Sequence, residues 1–390
     1  MQIFVGDPMP VSRRSAGLAI AASIALPAVL RAQEGISPGQ ILIGQTISLQ
    51  GGKNDYAAAV LAGIQAYFQS ANQRGGVHGH TIVLKTLDDD AKPALAQANA
   101  RQLVTQDKVF LLFGSIEGGP STAVMTVAVE DQVPFFGPMA GSPGFRRPHQ
   151  RMVFPVRAEH REEFRALLDY AKKTGATRSA FVRSDSETGL QHLENFKRLC
   201  SELAMQPPLD LPFKSDITDE QIAKMAAQIG AANIQVVINH GSSGMYERLI
   251  RQARATGVHA MFSAVNSGSS QMAHHLGELA RGMVFSQVVP SPWEGKSAIT
   301  REYQQVFARE KPGQEFSYGS LEGFLTAKAL VAALRLPANR LTRESFVAAL
   351  EANPGLELSD RLRAVYKPGD HTGLTAVDLA IVTNDLKFRH

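Results

Sequence analysis

Cysteine is nearly absent from this 390-residue chain, because Cys200 is the only one. A single cysteine cannot form a disulfide within the chain, so packing alone has to stabilise the fold. The residues around it, Leu190–Leu203, predict a helix, which favours a core thiol over a catalytic nucleophile. The chain also lacks an apolar run of about 20 residues, the length that a membrane-spanning helix requires.

Net charge is also small. The chain has 40 lysines and arginines against 36 aspartates and glutamates, a formal charge of +4. Without residues 1–32 these totals become 37 and 35, because three arginines and one aspartate are removed, and the balance is +2. A nearly neutral chain argues against nucleic acid as a partner.

The first 32 residues have the pattern of an export signal. Arg13 and Arg14 precede the uncharged apolar run Ala16–Leu30, which is too short to favour a membrane span, and Ala32 offers a small residue for cleavage. The two arginines fit twin-arginine export, whereas the weakly apolar residues after them fit general secretion, so both routes stay open. We predict a periplasmic protein that is cleaved near Ala32.

Directly behind this signal, a strand, a helix and a second strand follow one another. Ile41–Ile47 and Thr81–Leu87 have the composition of strands, and the amphipathic stretch between them ends at Gly75-Gly76. The alternation of strand and helix continues to Val288 in two series, which predicts parallel sheets covered on both faces. We therefore expect an α/β fold with two Rossmann-like, doubly wound lobes.

The last quarter of the chain departs from this alternation. Its pattern predicts three helices, followed by a final strand pair: Ser297–Arg309, Tyr318–Leu334, Arg343–Leu350, Arg361–Tyr366 and Thr375–Val382. These elements are too few for a third core, so we expect them to complete the two lobes. The chain then crosses between the lobes more than once.

No motif in the sequence indicates an enzyme. The glycines of Gly114–Gly119 have the wrong spacing for a dinucleotide-binding turn, and Gly241–Gly244 is one residue short of a nucleophile elbow. The His78–His80 and His274–His275 pairs have no cluster of partners at metal-ligand spacing. We predict a protein that is not an enzyme and that has no cofactor and no metal site.

Polar, glycine-rich turns follow the carboxyl ends of six predicted strands. They are Ser48–Tyr56, Gly114–Ser121, Gly137–Gly144, Ser184–Gly189, His240–Gly244 and Ala264–Ser270. In open α/β sheets, ligands bind in the crevice outside these strand ends. Because three turns belong to each lobe, we expect a small solute to bind between the lobes and to be buried when they close.

Four segments of the first lobe carry a family resemblance. Ile41–Gln50, Asp55–Gly76, Leu87–Asp90 and Val133–Phe145 resemble the first lobe of periplasmic solute-binding proteins of the leucine/isoleucine/valine-binding type, and Leu249–Gly257 resembles the second. The resemblance runs over nearly all of residues 38–388. It implies the type I periplasmic binding protein fold.

The same resemblance implies a domain division. Crossovers are expected near Val156–Arg157, Val288–Pro290 and Leu356–Asp360. The first lobe would contain residues 33–156 and 289–357, and the second residues 157–288 and 358–390. The partners implied are a small-molecule solute and an ATP-driven (ABC) permease of the inner membrane, and we expect a monomer. The alternative is a periplasmic sensory protein of the same fold.

The resemblance further implies which residues contact the ligand in the first lobe. Tyr56 stands where the amino-acid binders place a cleft tyrosine. Gly118 or Gly119 replaces a serine that holds the ligand carboxylate, and Gly141 replaces a threonine, with Ser142 beside it. Backbone N–H groups at this helix start can still receive an anion.

The second lobe departs further from the family pattern. Thr188 and Ser242 replace cleft aromatics, and Asn266 replaces the glutamate that pairs with a ligand ammonium. A buried ammonium without an anion costs several kcal/mol, so we expect a ligand that is not held as a free amino acid usually is. Amino-acid binding stays open if Glu117, Asp185 or Glu187 supplies the missing carboxylate.

The predicted ligand is therefore a small polar solute: an amino acid, an amide, or an aliphatic or aromatic acid. The complete predicted site comprises Tyr56, Glu117, Gly118, Gly119, Met139, Ala140, Gly141, Ser142, Thr188, Ser242 and Asn266, followed by Gln50, Asp185 and Phe316.

Overall fold

The structure is a computed structural model that describes residues 1–4, 6, 33–265, 269–338 and 340–389. Met1–Ala32 and Gln33–His390 are separate units, and the fold below is that of the second. Most of the predicted export signal, including its two arginines and Ala32, lies outside the described residues. None of the described helices has the length and apolar composition that crossing a bilayer requires.

A six-stranded sheet forms the first lobe. Its strands are β1 (Ile36–Ser37), β2 (Gln40–Ile47), β3 (Thr81–Asp88), β4 (Leu111–Phe113), β5 (Phe135–Phe136) and β6 (Val153–Phe154). The parallel strands run in the order β3-β2-β4-β5-β6, and β1 pairs with β2 in the antiparallel sense. The central strands β4 and β5 are buried on both faces, which explains their wholly apolar composition.

Three helices connect these strands: α1 (Asp55–Gln73), α2 (Pro93–Thr105) and α3 (Gly118–Glu130). The Asn54 side chain caps α1 by accepting from the N–H of Ala57, and Pro93 starts α2 at a position where no N–H is needed. The sequence predicts that α3 begins at Ser121, whereas it begins at Gly118. The reason is that the two glycines and Pro120, which are poor helix formers, are acceptable in a first turn.

The second lobe repeats this order in a seven-stranded sheet. Its helices are α4 (His160–Lys173), α5 (Glu187–Glu202), α6 (Asp219–Ala231), α7 (Ser243–Ala255) and α8 (Ser269–Leu276), and its parallel strands are β7 (Ser179–Ser184), β8 (Leu209–Phe213), β9 (Val236–His240), β10 (Met261–Ala264) and β11 (Val284–Gln287). The parallel order is β8-β7-β9-β10-β11. The prediction of two doubly wound α/β lobes is thus confirmed.

The remaining elements are divided between the lobes. They are α9 (Ala298–Glu310), α10 (Tyr318–Leu334), α11 (Arg343–Ala352), β12 (Leu356–Ser359), β13 (Leu362–Lys367), β14 (Asp370–Gly373), β15 (Asp378–Val382) and β16 (Phe388–Arg389). The helices α9 to α11 pack into the core of the first lobe, together with Leu356, Leu362 and Tyr366. Strands β15 and β16 instead extend the second sheet beside β11.

The predicted final strand pair is wrong, because β13 and β15 do not pair with each other. Strand β13 lies between β12 and β14 in a small three-stranded sheet, and β15 lies between β11 and β16. The three additional strands are only two to four residues long and polar, so they have little periodicity of their own. The chain passes from the small sheet to the second sheet between Gly373 and Asp378, beyond the crossover that the resemblance places near Leu356–Asp360.

Two glycines allow α1 and α10 to pack with their backbones in contact. A Cβ atom on Gly63 would lie 1.9 Å from the carbonyl oxygen of Ser320, and one on Gly323 would lie 2.1 Å from that of Val60. Neither space can hold a methyl group unless a backbone moves. The close approach brings the amino-terminal ends of both helices to the cleft, where Tyr56 and Glu322 meet.

We predict that Gly63→Ala lowers the free energy of unfolding by about 1–3 kcal/mol, as overpacking of a core does. Gly244→Ala is the matched control, since this helical glycine has nothing within 4 Å of its Cβ position. Alanine there should leave stability unchanged or raise it by up to about 1 kcal/mol. Urea unfolding of residues 33–390 measures both variants. Equal stabilities of Gly63→Ala and the unmutated chain would contradict the described helix contact.

Candidate functional site

A cavity of about 480 Å³ lies where the carboxyl ends of strands from the two sheets face each other. Its walls come from turns after β2, β4 and β5 on one side and after β9 and β10 on the other. The lining residues are Asn54, Tyr56, Ile116, Glu117, Gly118, Met139, Ala140, Arg157, His160, His240, Gly241, Ser242, Ser243, Val265 and Gln271. This is the crevice in which open α/β sheets bind ligands, and its volume suits a small solute.

The cavity brings together six of the predicted site residues. Their shared property is a position in a turn beyond a strand end: Tyr56, Glu117, Gly118, Met139, Ala140 and Ser242. Ser242 also has a local role, because its hydroxyl accepts from the N–H of Met245 and caps α7. Turn chemistry that starts a helix therefore also supplies the polar surface of the cavity.

Three further predicted residues of the first lobe lie beside the cavity. Ser142 is buried, with its hydroxyl 3.3 Å from where a Cβ of Gly118 would be. Gly141 packs against His160, whose ring atoms would lie 2.8 Å from an added Cβ. Gly119 faces Pro93 on α2, at 3.1 Å from its Cβ position. These residues shape the wall and are not part of its lining.

Four other predicted residues lie apart from the cavity. Thr188 is exposed on the first turn of α5, and Asp185 lines a separate depression beside α6. Phe316 packs against Tyr303, and the backbone N–H of Gln50 donates to Asp88. Asn266 lies outside the described residues.

A buried charge network forms the base of the cavity. The guanidinium of Arg157 is 2.7 Å from a Glu163 carboxylate oxygen and 3.6 Å from one of Glu322. The Tyr56 hydroxyl donates to the other Glu322 oxygen at 2.5 Å, and Ser286 donates to Glu163 at 2.8 Å. The network joins the crossover residue Arg157 to helices of both lobes.

The network holds its members in definite protonation states. Burial acts to raise the pKa of Glu163, but the positive charge of Arg157 and the contact with His160 outweigh it and lower this pKa to about 2. Burial, followed by the charge of Glu322, raises the pKa of Tyr56 well above its ordinary value. At neutral pH Glu163 is therefore a carboxylate and Tyr56 a neutral hydrogen-bond donor.

At the amino end of α3, Glu117 has a positive φ of 63°, and Gly118 and Gly119 form the first turn. The N–H groups of a first turn have no partner within the helix, so they can receive an anion. The side chain of Glu117 remains accessible from the cavity. Desolvation of its carboxylate and the charge of nearby Asp89 raise the pKa of Glu117. Anion-binding groups and an acid are thus neighbours on this wall.

Three histidines of the second lobe converge behind the opposite wall. The ring centroids of His160 and His240 are 4.4 Å apart, and those of His192 and His240 are 4.0 Å apart. His160 and His240 line the cavity, whereas His192 is fully buried on α5. Burial lowers the pKa of His192 and of His240 well below the ordinary value, and the neighbouring imidazoles lower both further.

The family model described as periplasmic binding protein matches residues 40–385. The chain belongs to this family. Its resemblance to the leucine/isoleucine/valine-binding type is confirmed by a Leu/Ile/Val-binding protein of Citrobacter freundii, which is 20% identical over 244 residues. That match covers 62% of this chain and 65% of the relative, so it spans slightly less than two thirds of the relative's length.

Solved structures show the same fold as this periplasmic binding protein. A possible leucine/isoleucine/valine-binding protein from Rhodopirellula baltica has a TM-score of 0.80 at 23% identity, covering 90% of this chain and 97% of that one. A fatty acid ABC transporter substrate-binding protein from Thermomonospora curvata has a TM-score of 0.77 at 17% identity, covering 91% of each chain. Family and fold are those of substrate-binding proteins, and the family implies an extracytoplasmic location.

Sequence reasoning missed several residues that this binding protein brings to its cavity. Arg157 lies in a predicted crossover, where a charge between the apolar residues Val156 and Ala158 is the one available signal. His160 precedes the predicted start of α4, and His240 opens a predicted polar turn. His192 has no such signal, because it lies inside a helix with ordinary amphipathic spacing.

We predict that Glu163 makes stability depend on acid pH. A pKa lowered from 4.5 to about 2 contributes about 3 kcal/mol of stability, which is present above pH 4.5 and is lost as the pH falls toward 2. Glu163→Gln should remove this part of the pH dependence, and it should also destabilise the fold at pH 7 by leaving Arg157 less compensated.

Urea unfolding between pH 7 and pH 2.5 measures this dependence, and Glu194→Gln is the control. Glu194 forms an exposed ion pair with Lys197, which should contribute little. If the free energy of unfolding of Glu163→Gln falls with decreasing pH as steeply as that of the unmutated chain, the buried pair of Arg157 and Glu163 does not govern acid stability.

Proposed function

We propose that this chain is the solute-binding component of an ABC uptake transporter. The observation that carries the proposal is the cavity whose polar lining comes from both lobes, with Tyr56 and Glu117 on one wall and His240 and Ser242 on the other. A solute held in it contacts both lobes, so it stabilises their closed arrangement. The exported form would begin after Ala32, act as a periplasmic monomer and present the closed lobes to a permease of the inner membrane.

The solute class follows from the charges at the cavity. The first-turn N–H groups of α3 can receive an anion, whereas the charge of Arg157 at the base is already compensated by Glu163 and Glu322. The first turn of α3 therefore favours a small solute with a carboxylate group. Glu117 is then the residue that decides between a simple acid and an amino acid, because it is the carboxylate in the cavity lining that is available to pair with a ligand ammonium.

Thermal unfolding of residues 33–390 with amino acids, amides, aliphatic acids and aromatic acids tests this function. A ligand at 100 times its dissociation constant stabilises the folded state by about 2.7 kcal/mol, which raises the unfolding midpoint measurably. A midpoint raised by a compound with a carboxylate is the expected result. A midpoint raised by amides alone would contradict the proposed carboxylate class. A midpoint that no compound raises would show that the protein binds none of these four classes of solute.

The Glu117→Gln variant separates the two carboxylate classes. If an amino acid is the ligand, loss of the carboxylate should weaken its binding by about 10–100-fold, since a charged hydrogen bond is worth roughly 1.5–3 kcal/mol. If a simple acid is the ligand, its affinity should stay equal or rise, because a like charge has been removed. Isothermal titration calorimetry measures both cases.

Asp185→Asn is the matched control, since it also removes one carboxylate from a strand-end turn but lies outside the cavity. An equal loss of affinity in the Asp185→Asn and Glu117→Gln variants would show that Glu117 does not act within the site.

A further inference from the structure

The three-histidine cluster His160, His192 and His240 has the composition and convergence of a metal site. One ligating atom from each of the three side chains lies within 4.8 Å of the others. Imidazole nitrogens bound to one Zn²⁺ at 2.0–2.1 Å in tetrahedral geometry are about 3.3 Å apart, so small ring movements suffice to reach a common ion. Each histidine comes from a different element. His160 begins α4, His192 lies inside α5, and His240 ends β9.

Several nitrogens of the cluster lack hydrogen-bond partners among the described residues. Both ring nitrogens of His192 are buried without a hydrogen-bond partner, and water cannot serve as one because the side chain is fully inaccessible to solvent. Nδ1 of His240 is also buried and without a partner. A buried polar group without a hydrogen bond destabilises the fold. A bound ion would supply a partner to one ring nitrogen of each residue.

His160 is oriented as metal-binding histidines commonly are. Its Nδ1 lies 2.6 Å from a Glu163 oxygen, and its Nε2 accepts a long hydrogen bond of 3.3 Å from the backbone N–H of Gly141. Because that N–H can only donate, Nε2 carries the lone pair and Nδ1 donates to Glu163, so a metal ion bound at Nε2 would take the place of the Gly141 N–H. A carboxylate that accepts from the distal nitrogen fixes the tautomer and raises the basicity of a ligating histidine. Arg157 and Ser286 in turn hold Glu163 in place.

The surrounding charges accept a cation. Arg157 is a positive group of the network that contacts His160 through Glu163, and the carboxylates of Glu163 and Glu322 outnumber it there. Glu117 adds a further carboxylate on the facing wall of the cavity. Three imidazoles favour zinc, copper, nickel or cobalt over magnesium and calcium, which prefer oxygen ligands.

We propose that His160, His192 and His240 bind one late first-row divalent metal ion at the wall of the cavity. The ion reaches the cluster through the cavity, which His160 and His240 line. Three protein ligands leave a fourth position of a tetrahedral ion for water or for a group from the cavity. This inference departs from the sequence-based expectation of no metal site, and it does not depend on the proposed transport function.

Metal binding to untagged residues 33–390, stripped with a chelator, tests the site directly. Calorimetric titration with Zn²⁺ should show one equivalent bound, and Co²⁺ should give the visible d–d absorption of a nitrogen-coordinated ion. Mg²⁺ should give neither. Absence of a stoichiometric equivalent of Zn²⁺ in the unmutated chain would overturn the proposal.

Two variants locate the ion. His192→Phe removes two nitrogens but keeps an aromatic ring against Phe164, so the metal-free variant should unfold at a midpoint equal to or above that of the unmutated chain. His240→Gln removes a ligand from the cavity wall. Each variant should weaken Zn²⁺ binding at least 100-fold and abolish the Co²⁺ absorption.

His274→Gln is the matched control, because His274 is an exposed histidine of the same lobe outside the cluster. This variant should bind Zn²⁺ as the unmutated chain does. Equal Zn²⁺ affinity in His192→Phe, His240→Gln and the unmutated chain would place the bound ion elsewhere and overturn the assignment. If one variant fails to fold, the other and the Co²⁺ spectrum of the unmutated chain still decide the question.

Discussion

Arg157 carries a positive charge into the buried base of the cleft, and carboxylates from two lobes compensate it. Glu163 belongs to α4 in the second lobe, whereas Glu322 belongs to α10, which packs into the first. An unpaired guanidinium at this depth would cost several kcal/mol, so the lobes and the crossover have to meet in this arrangement. The packing of α10 against α1 contributes to this compensation, because it places Glu322 near Arg157, where it also accepts from the Tyr56 hydroxyl.

The same network determines what the cavity presents to a solute. Tyr56 is held as a neutral donor by Glu322, and His160 is held in one orientation by Glu163. The charged groups at the base are consequently largely satisfied by one another. The groups of the two walls that are less constrained are the first turn of α3, Glu117, Ser242 and the histidines, and the proposed solute site depends on them.

The two walls differ in chemical character. On the first lobe, glycine turns expose backbone N–H groups, as expected where side-chain hydroxyls have been replaced. On the second lobe, the imidazoles of His160 and His240 line the cavity beside Ser242, which stands where the family resemblance leads us to expect a cleft aromatic. A periplasmic binding protein can keep its fold through such changes, because strand order and helix packing depend on the core and not on the turns that line the crevice.

Much of the fold could be predicted from the sequence, since strands such as β2 and helices such as α2 carry strong periodicity and clear end signals. The short strands β12, β14 and β16 could not, because two to four residues have no periodicity and pair only where the tertiary structure offers an edge. For the site, Tyr56, Glu117 and Ser242 lie in turns beyond strand ends, and the structure places all three in the lining of one cavity.

By itself, the sequence determined the two-lobed α/β architecture and the location of its polar turns, because local periodicity and turn chemistry are properties of consecutive residues. Only the tertiary structure decided that Arg157 meets Glu163 and Glu322, and that His192, inside a helix, meets His160 and His240. These groups are distant along the chain, and their convergence arises from the packing of whole helices and sheets. The spacing of these residues along the sequence therefore does not predict their convergence.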